Sequence, residues 1–442
     1  MKNLDLSLTD NDNSRFHAFN IVLGYESSKA QLKSVRQQYF SKNKLSVKER
    51  NRSMALSNEV IRWKRTLDEW ISRSLNKPIK KLPLNALCVL RLGYYEYIID
   101  DFVPVHAAVD SWVELSKKFK SKKITGLINA VLRKAQYIDK DSNDIKRNIG
   151  LQYSFQDWMV QNWVKKYGQK KTTDLCSYLN SAHEVDIRAD IYNENIKKLL
   201  KKKHIKWKFS PFSKDFIRIQ SGLGDLLTSK MFSKGNFFVQ DRAAGAVIEL
   251  LDPRPGDVVL DVCAAPGTKS IYIHEKLNGI GKLFSYDINQ SKIDVAKRYS
   301  KALELDINWG VKNAVFDVYP EADKILIDAP CSGTGVIARK PDIKWERSFD
   351  EIDTLSALQF KILKNVSRFL KKNGVIVYST CSLESQENWN VVKSFLKLNT
   401  NFKIESAERF IPKQWLNKNN CLETFPPRDK VDGMFAAKII KC

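Results

Sequence analysis

Apolar residues recur at helical spacing through the first third of the chain. Phe16, Phe19, Ile21, Val22 and Leu23 open one helix. After a polar stretch, Leu56, Val60, Ile61, Trp63, Leu67, Trp70 and Ile71 fall three and four apart within 53–75, predicting a second. Pro83 precedes another apolar stretch, Leu84–Ile99, Pro104 precedes His106–Leu115, and Ile124–Tyr137 completes the series. Glycine is scarce and strand-like alternation is missing, so residues 1–140 are predicted to form an all-α bundle.

The pattern loosens over 141–235. Trp158–Tyr167 has helical spacing, with Trp163 one turn from Met159, whereas Asp186–Tyr192 alternates like a strand. Ile196–Lys203 (IKKLLKKK) reads as an amphipathic helix and Ile217–Gln220 as a short strand. The expectation is a small α+β module that links two larger units and contributes to RNA binding.

Over 236–442 strands and helices alternate. The strands are Asp257–Val262 (DVVLDV), Lys282–Tyr286 (KLFSY), Ile307–Val311, Lys324–Ile327 and Val375–Ser379 (VIVYS). Helical stretches frame them at Ala243–Leu251, Ser270–Leu277, Ser291–Glu304, Asp353–Leu370 and Glu387–Leu398. Such alternation predicts an α/β domain with a parallel, Rossmann-like sheet covered on both faces.

Charge adds a partner to this picture. The 442 residues include 74 Lys or Arg against 50 Asp or Glu, a formal +24. Residues 1–140 hold 26 basic and 14 acidic side chains, half of that excess in a third of the chain. A whole-segment excess repels itself unless a polyanion is meant to meet it. At 43% hydrophobic the chain has material for real cores, which excludes a mostly disordered protein. No apolar run approaches the ~18–20 residues of a membrane span. The opening MKNLDLSLTDNDNSRF has no apolar signal segment, so a cytoplasmic, membrane-free protein is expected. Seven cysteines without CxxC spacing predict free thiols in a reducing compartment.

The unusual residues cluster where an open α/β sheet places its ligands, at the carboxyl ends of strands. The first strand runs into Cys263-Ala264-Ala265-Pro266-Gly267-Thr268-Lys269 and then a helix. Small residues let a ligand approach the backbone, and the helix start offers N–H groups. The loop is neither GxGxxG nor a P-loop. Asp287 ends the second strand, 20 residues past Gly267, where an acidic side chain can hold ribose hydroxyls. Together these favour a nucleoside-bearing cofactor. The fourth strand runs into Asp328-Ala-Pro-Cys331-Ser-Gly-Thr-Gly335 and the fifth into Ser379-Thr-Cys381-Ser382. A zinc site with Cys263 as third ligand is disfavoured, because CxxC and a His at ligand spacing are both missing, so no metal is expected. Cys88 and Cys176 read as small buried hydrophobes, and Cys421 and Cys442 carry no assignment.

Cys-Ala-Ala-Pro-Gly, Asp-Ala-Pro-Cys and Thr-Cys-Ser together resemble the Nop2/Sun family of RNA cytosine-5 methyltransferases, over Gln240 to the C-terminus. The helical third resembles the NusB RNA-binding fold in Val103-Pro-Val-His-Ala-Ala-Val109 and Ile124-Thr-Gly-Leu-Ile-Asn-Ala-Val-Leu-Arg133. This domain order resembles the branch that acts on a small-subunit ribosomal RNA cytosine. The resemblance implies S-adenosylmethionine as cofactor, with Cys381 as nucleophile and Cys331 assisting C5 proton removal or enzyme release. It implies Asp328 against the N3/N4 edge of the base, protonated if it is to serve N3, and Lys269 favouring the thiolate. Cofactor contacts carry over to Cys263, Ala264, Ala265, Pro266, Gly267, Thr268, Lys269, Asp287, Asn313 and Asp328.

The chain departs from the family in three places. It has Lys312-Asn313-Ala314 where Gly-Asp-Ala is usual, with Asp317 as the alternative adenine contact, Thr268 for a second Gly, and Ser385 for a Pro. In Arg339-Lys-Pro-Asp-Ile-Lys344-Trp345, Arg339 and Lys344 are expected on phosphates. Trp345 is expected either against a flipped base or as a core anchor. The implied partner is small-subunit ribosomal RNA, free or in an assembling particle, bound by a monomer. The competing readings are a non-catalytic NusB-like antitermination factor and a relative that methylates transfer RNA or another ribosomal cytosine.

Overall fold

In the computed structural model, which describes residues 13–76, 78–100, 105–190, 192–210, 213 and 215–442, the chain divides into two units. Val103 and Pro104 of the NusB-like motif, the first 12 residues and Ile191 of the expected strand 186–192 lie outside the described residues. The first unit is Met1–Asn180 with Arg339–Glu346. The second is Ser181–Ala338 with Arg347–Cys442.

The helical periodicity of the first unit closes on one core, in which Ile21, Val22, Leu56, Val60, Leu67, Ile71, Val89, Trp112 and Leu132 are buried. Its helices include Ser14–Glu26, Val47–Arg62, Lys64–Ser74, Leu84–Ile98, Val105–Lys117 and Lys122–Lys134. Ser46 and Glu49 form a capping box that starts Val47–Arg62. The single helix expected over 53–75 is broken at Trp63, whose φ of −98° and ψ of 10° leave the helical region. The polar stretch before it holds the helix Leu32–Lys42. Only Leu32 of that helix is buried, so it carries no apolar period to read. Buried Glu96 gathers Arg15, Arg52 and the Trp112 indole N–H, which satisfies a carboxylate the core would otherwise penalise.

The second unit carries two sheets. Strands β1 (Val185–Ala189), β2 (Lys206–Phe209), β3 (Phe216–Ser221) and β4 (Phe237–Val239) form an antiparallel sheet in the order β2-β3-β1-β4. The larger sheet comprises β5 (Val258–Val262), β6 (Lys282–Asp287), β7 (Asn308–Val311), β8 (Ala322–Asp328), β9 (Leu370–Thr380), β10 (Phe402–Glu405), β11 (Leu422–Glu423) and β12 (Phe435–Lys441). Its order is β10-β12-β9-β8-β5-β6-β7, with β11 on β12.

The five expected strands are present and mutually parallel. The wholly parallel sheet is nevertheless corrected, because β12 pairs antiparallel with β9 and with β10. Among the residues of β12, FAAKIIK has no clean alternation, so periodicity could not announce it. The parallel register aligns Val262 with Ile327 and Asp328 with Ser379. The loops after β5, β8 and β9 therefore open side by side.

Candidate active site

The β5 loop is shaped by its backbone. Cys263 takes a positive φ of 66°, the Ala265–Pro266 bond is cis, and Gly267 at φ 102° caps the helix Thr268–Leu277. A Cβ on Gly267 would lie 2.8 Å from the Trp309 ring, so both conformation and space call for glycine. The loop is tied to β6, because Ala264 N–H donates to the Tyr286 carbonyl and Ala265 N–H to Asp287 Oδ2, at 3.1 Å. Asp287 Oδ1 accepts from Asn289 N–H, which completes the turn.

A cavity of about 120 Å³ is lined by Asp261, Cys263–Pro266, Thr268, Lys269 and Asp328. Asp261 was not foreseen. Its Oδ2 accepts from Ser270 Oγ at 2.5 Å, while the fully buried Oδ1 has no hydrogen-bond partner. Burial pushes its pKa up to about 7. Cys263 is also held as a thiol by burial first and then by Asp287 and Asp328, so it lines the cradle as a small neutral side chain. Among the described residues, no cluster of three or more His, Cys, Asp or Glu could hold a metal ion.

Lys269 Nζ donates to Asp328 Oδ2 at 2.7 Å, and Ser379 Oγ donates to Asp328 Oδ1 at 2.9 Å. Burial disfavours the ammonium, but Asp328 and then Cys381 outweigh it, and the Lys269 pKa is raised. Both Asp328 oxygens thus serve as acceptors.

Cys331 Sγ and Cys381 Sγ lie 3.3 Å apart. The Cys331 thiol is pushed well above its ordinary value, first by its hydrogen bond to Cys381, then by burial and neighbouring negative charge. Backbone bonds fix the loops, with Ala329 N–H on the Ser379 carbonyl and Gly335 N–H on the Cys381 carbonyl. Gly335 packs on the Gly433 backbone, whose Cα would lie 2.8 Å from an added Cβ.

Of the other expected site residues, Asn313 makes a local turn. Its Oδ1 accepts from Val315 N–H, and Asp317 Oδ2 accepts from Asn313 N–H. The phosphate role of Lys344 is overturned. Its ammonium is buried in the first unit, with the Arg62 and Tyr153 carbonyls and Asn180 Oδ1 as acceptors and the Phe155 ring 3.7 Å away. Burial lowers its pKa well below the usual lysine range. Trp345 donates to the Ile61 carbonyl and packs on the same helical core, so it is the anchor. Arg339 is exposed.

A model of the 16S rRNA methyltransferase RsmB/F family matches residues 248–440, and a NusB family model matches 12–137. The probable ribosomal RNA small subunit methyltransferase B of Synechocystis sp. is 30% identical over 420 residues, covering 90% of this chain and 93% of its own. The chain belongs to the RsmB/F family. The ribosomal RNA small subunit methyltransferase B of Photorhabdus laumondii is 32% identical over 383 residues, covering 84% and 86% of the two chains. NSun6 from Pyrococcus horikoshii shares the fold, with a TM-score of 0.58, 20% identity and coverage of 65% of this chain and 99% of that one. As an RsmB/F member with a NusB-type helical region, the chain is an S-adenosylmethionine-dependent RNA methyltransferase. Among the described residues no helix is long and apolar enough to cross a membrane.

Proposed function

We propose that this RsmB/F enzyme methylates C5 of a cytosine in small-subunit ribosomal RNA, with Cys381 as a covalent nucleophile. The observation that carries the reading is the 3.3 Å cysteine pair at adjacent strand ends, beside the Lys269–Asp328 ion pair of the cofactor cradle.

Cytosine C5 is too weak a nucleophile to take a methyl group unaided. Addition of the Cys381 thiolate to C6 forms an S–C6 bond and moves electron density to C5, dividing one hard step into two easier ones. Lys269 favours that thiolate, and Asp328 accepts from the N4 amino group. After transfer the C5 proton passes to a water molecule, its bonding pair restores the C5–C6 double bond, and Cys381 leaves as the thiolate. The Cys331 side chain, whose sulfur lies 3.3 Å from the departing one, assists this release.

The residues of the cradle fit S-adenosylmethionine. The unpartnered Asp261 Oδ1 can accept from its amino group, Asp287 from ribose hydroxyls, and the Asn313 amide can meet the adenine. Residues Cys263, Ala264, Ala265, Pro266, Gly267 and Thr268 supply backbone and small side chains around it. Bound there, it supplies the methyl group as an electrophile. The basic helical region holds RNA through its phosphates, independently of sequence.

Bisulfite sequencing of ribosomal RNA from a strain lacking the gene tests the reading. One small-subunit cytosine should lose protection, regain it with the wild-type chain and stay unprotected with Cys381→Ala. A protected cytosine in the Cys381→Ala strain would overturn it.

A further inference from the structure

Glu387 lies outside every motif read from the sequence, and its side chain is completely buried. Its Oε1 accepts from Ser332 N–H at 2.8 Å and from Gln359 Nε2 at 3.0 Å. Its Oε2 accepts from Ser332 Oγ and from Ser382 Oγ, each at 2.5 Å. Ser332 and Ser382 are the residues immediately after Cys331 and Cys381. One carboxylate is therefore bonded to the next residue of both cysteine loops, and the two serine hydroxyls are themselves 3.0 Å apart.

A buried carboxylate that accepts four hydrogen bonds is held rigidly, and the low local dielectric strengthens each of them. Its negative charge opposes ionisation of Cys331. Lys269 provides the opposite charge beside Cys381. The other titratable or charged groups nearby are Asp328, Glu384, Tyr378, whose hydroxyl donates to the Glu387 carbonyl, and Arg347, whose Nε donates to the Ser332 carbonyl.

We propose that Glu387 is a positioning residue: its carboxylate, bonded to the residue after each cysteine, fixes the two cysteine loops at their working separation. The proposal rests on the covalent reading of Cys381. The serines transmit the effect, so Glu387 itself need touch neither the base nor the cofactor.

The test uses the full-length chain with Glu387→Gln and Glu387→Ala. Iodoacetamide labelling of Cys331 against pH, read by peptide mass spectrometry, reports the thiol without RNA or turnover. Glu387→Gln keeps the shape of the brace and removes its charge. We expect its Cys331 labelling midpoint to fall by about one pH unit and kcat to fall about tenfold, with KM within about threefold. Glu387→Ala should lose about a hundredfold in kcat. A Gln variant with the wild-type labelling profile and wild-type kcat would overturn the proposal, and it remains decisive if the Ala variant does not fold. Loss of the covalent reading would appear separately, as methyl transfer surviving Cys381→Ala while the labelling shift persists.

Discussion

Lys269, on the first turn after the β5 loop, is paired at 2.7 Å with Asp328 at the end of β8. A single ion pair thus joins the cofactor cradle to the strand that leads to Cys331. The ammonium also interacts electrostatically with Cys381.

Replacing Lys269 with Met removes that cation while keeping an apolar stem. The acid limb of the pH–rate profile should then move to higher pH, because the thiolate loses its favourable neighbour. We expect kcat at pH 7 to fall about 10²-fold, with recovery toward pH 9. An unshifted profile would separate Lys269 from the nucleophile.

Asp261 makes stability depend on pH. Its folded pKa of about 7 lies above the ordinary 3.8. The folded state therefore binds the proton more tightly, and ionisation opposes folding. The cost is absent below about pH 4, grows as pH rises through the window and is complete above about pH 7. Thermal unfolding of the cofactor-free protein should fall in Tm from pH 5 to pH 8 relative to Asp261→Asn. The same variant should bind S-adenosylhomocysteine about tenfold more weakly by calorimetry, since a charge-assisted hydrogen bond to the amino group is lost.

Gly335→Ala places a methyl group against the Gly433 backbone, where no side chain can move aside. The Cys331 loop or β12 must shift, at a cost of about 1–3 kcal/mol. Both Tm and methyl transfer should drop, and unchanged values for both would contradict the packing described.

Arg339 and Lys344 separate surface from core. Arg339→Ala should weaken RNA binding and reduce the salt slope by about one phosphate contact. Lys344→Ala should leave the slope unchanged but destabilise the first unit by about 2–4 kcal/mol, because it orphans the acceptors that its ammonium satisfies. Salt titrations and thermal unfolding of both variants check the pair.

The strand-end loops were legible in the sequence because their chemistry is compositional. Cys263–Gly267 and Asp328–Gly335 combine Cys, Pro and Gly after apolar runs, and Thr380–Ser382 sets a Cys between two hydroxyl residues. The helical region was legible through its period, except in Leu32–Lys42, where one buried residue leaves no period. Buried charge was the common blind spot. Asp261, Glu387 and Lys344 look like surface residues until their partners are known, and those partners are up to 282 residues away. β12 escaped because a nearly continuous apolar strand carries no alternation.

The covalent mechanism is tested most directly by trapping. Purified wild type, Cys331→Ala and Cys381→Ala are incubated with a small-subunit RNA transcript and S-adenosylmethionine, then resolved under denaturing conditions with mass spectrometry of any slow species. The account predicts a protein–RNA adduct that accumulates in Cys331→Ala, carries the linkage at Cys381 and is missing from Cys381→Ala. Methyl transfer by Cys381→Ala at the wild-type rate, or an adduct mapped to Cys331, would contradict it.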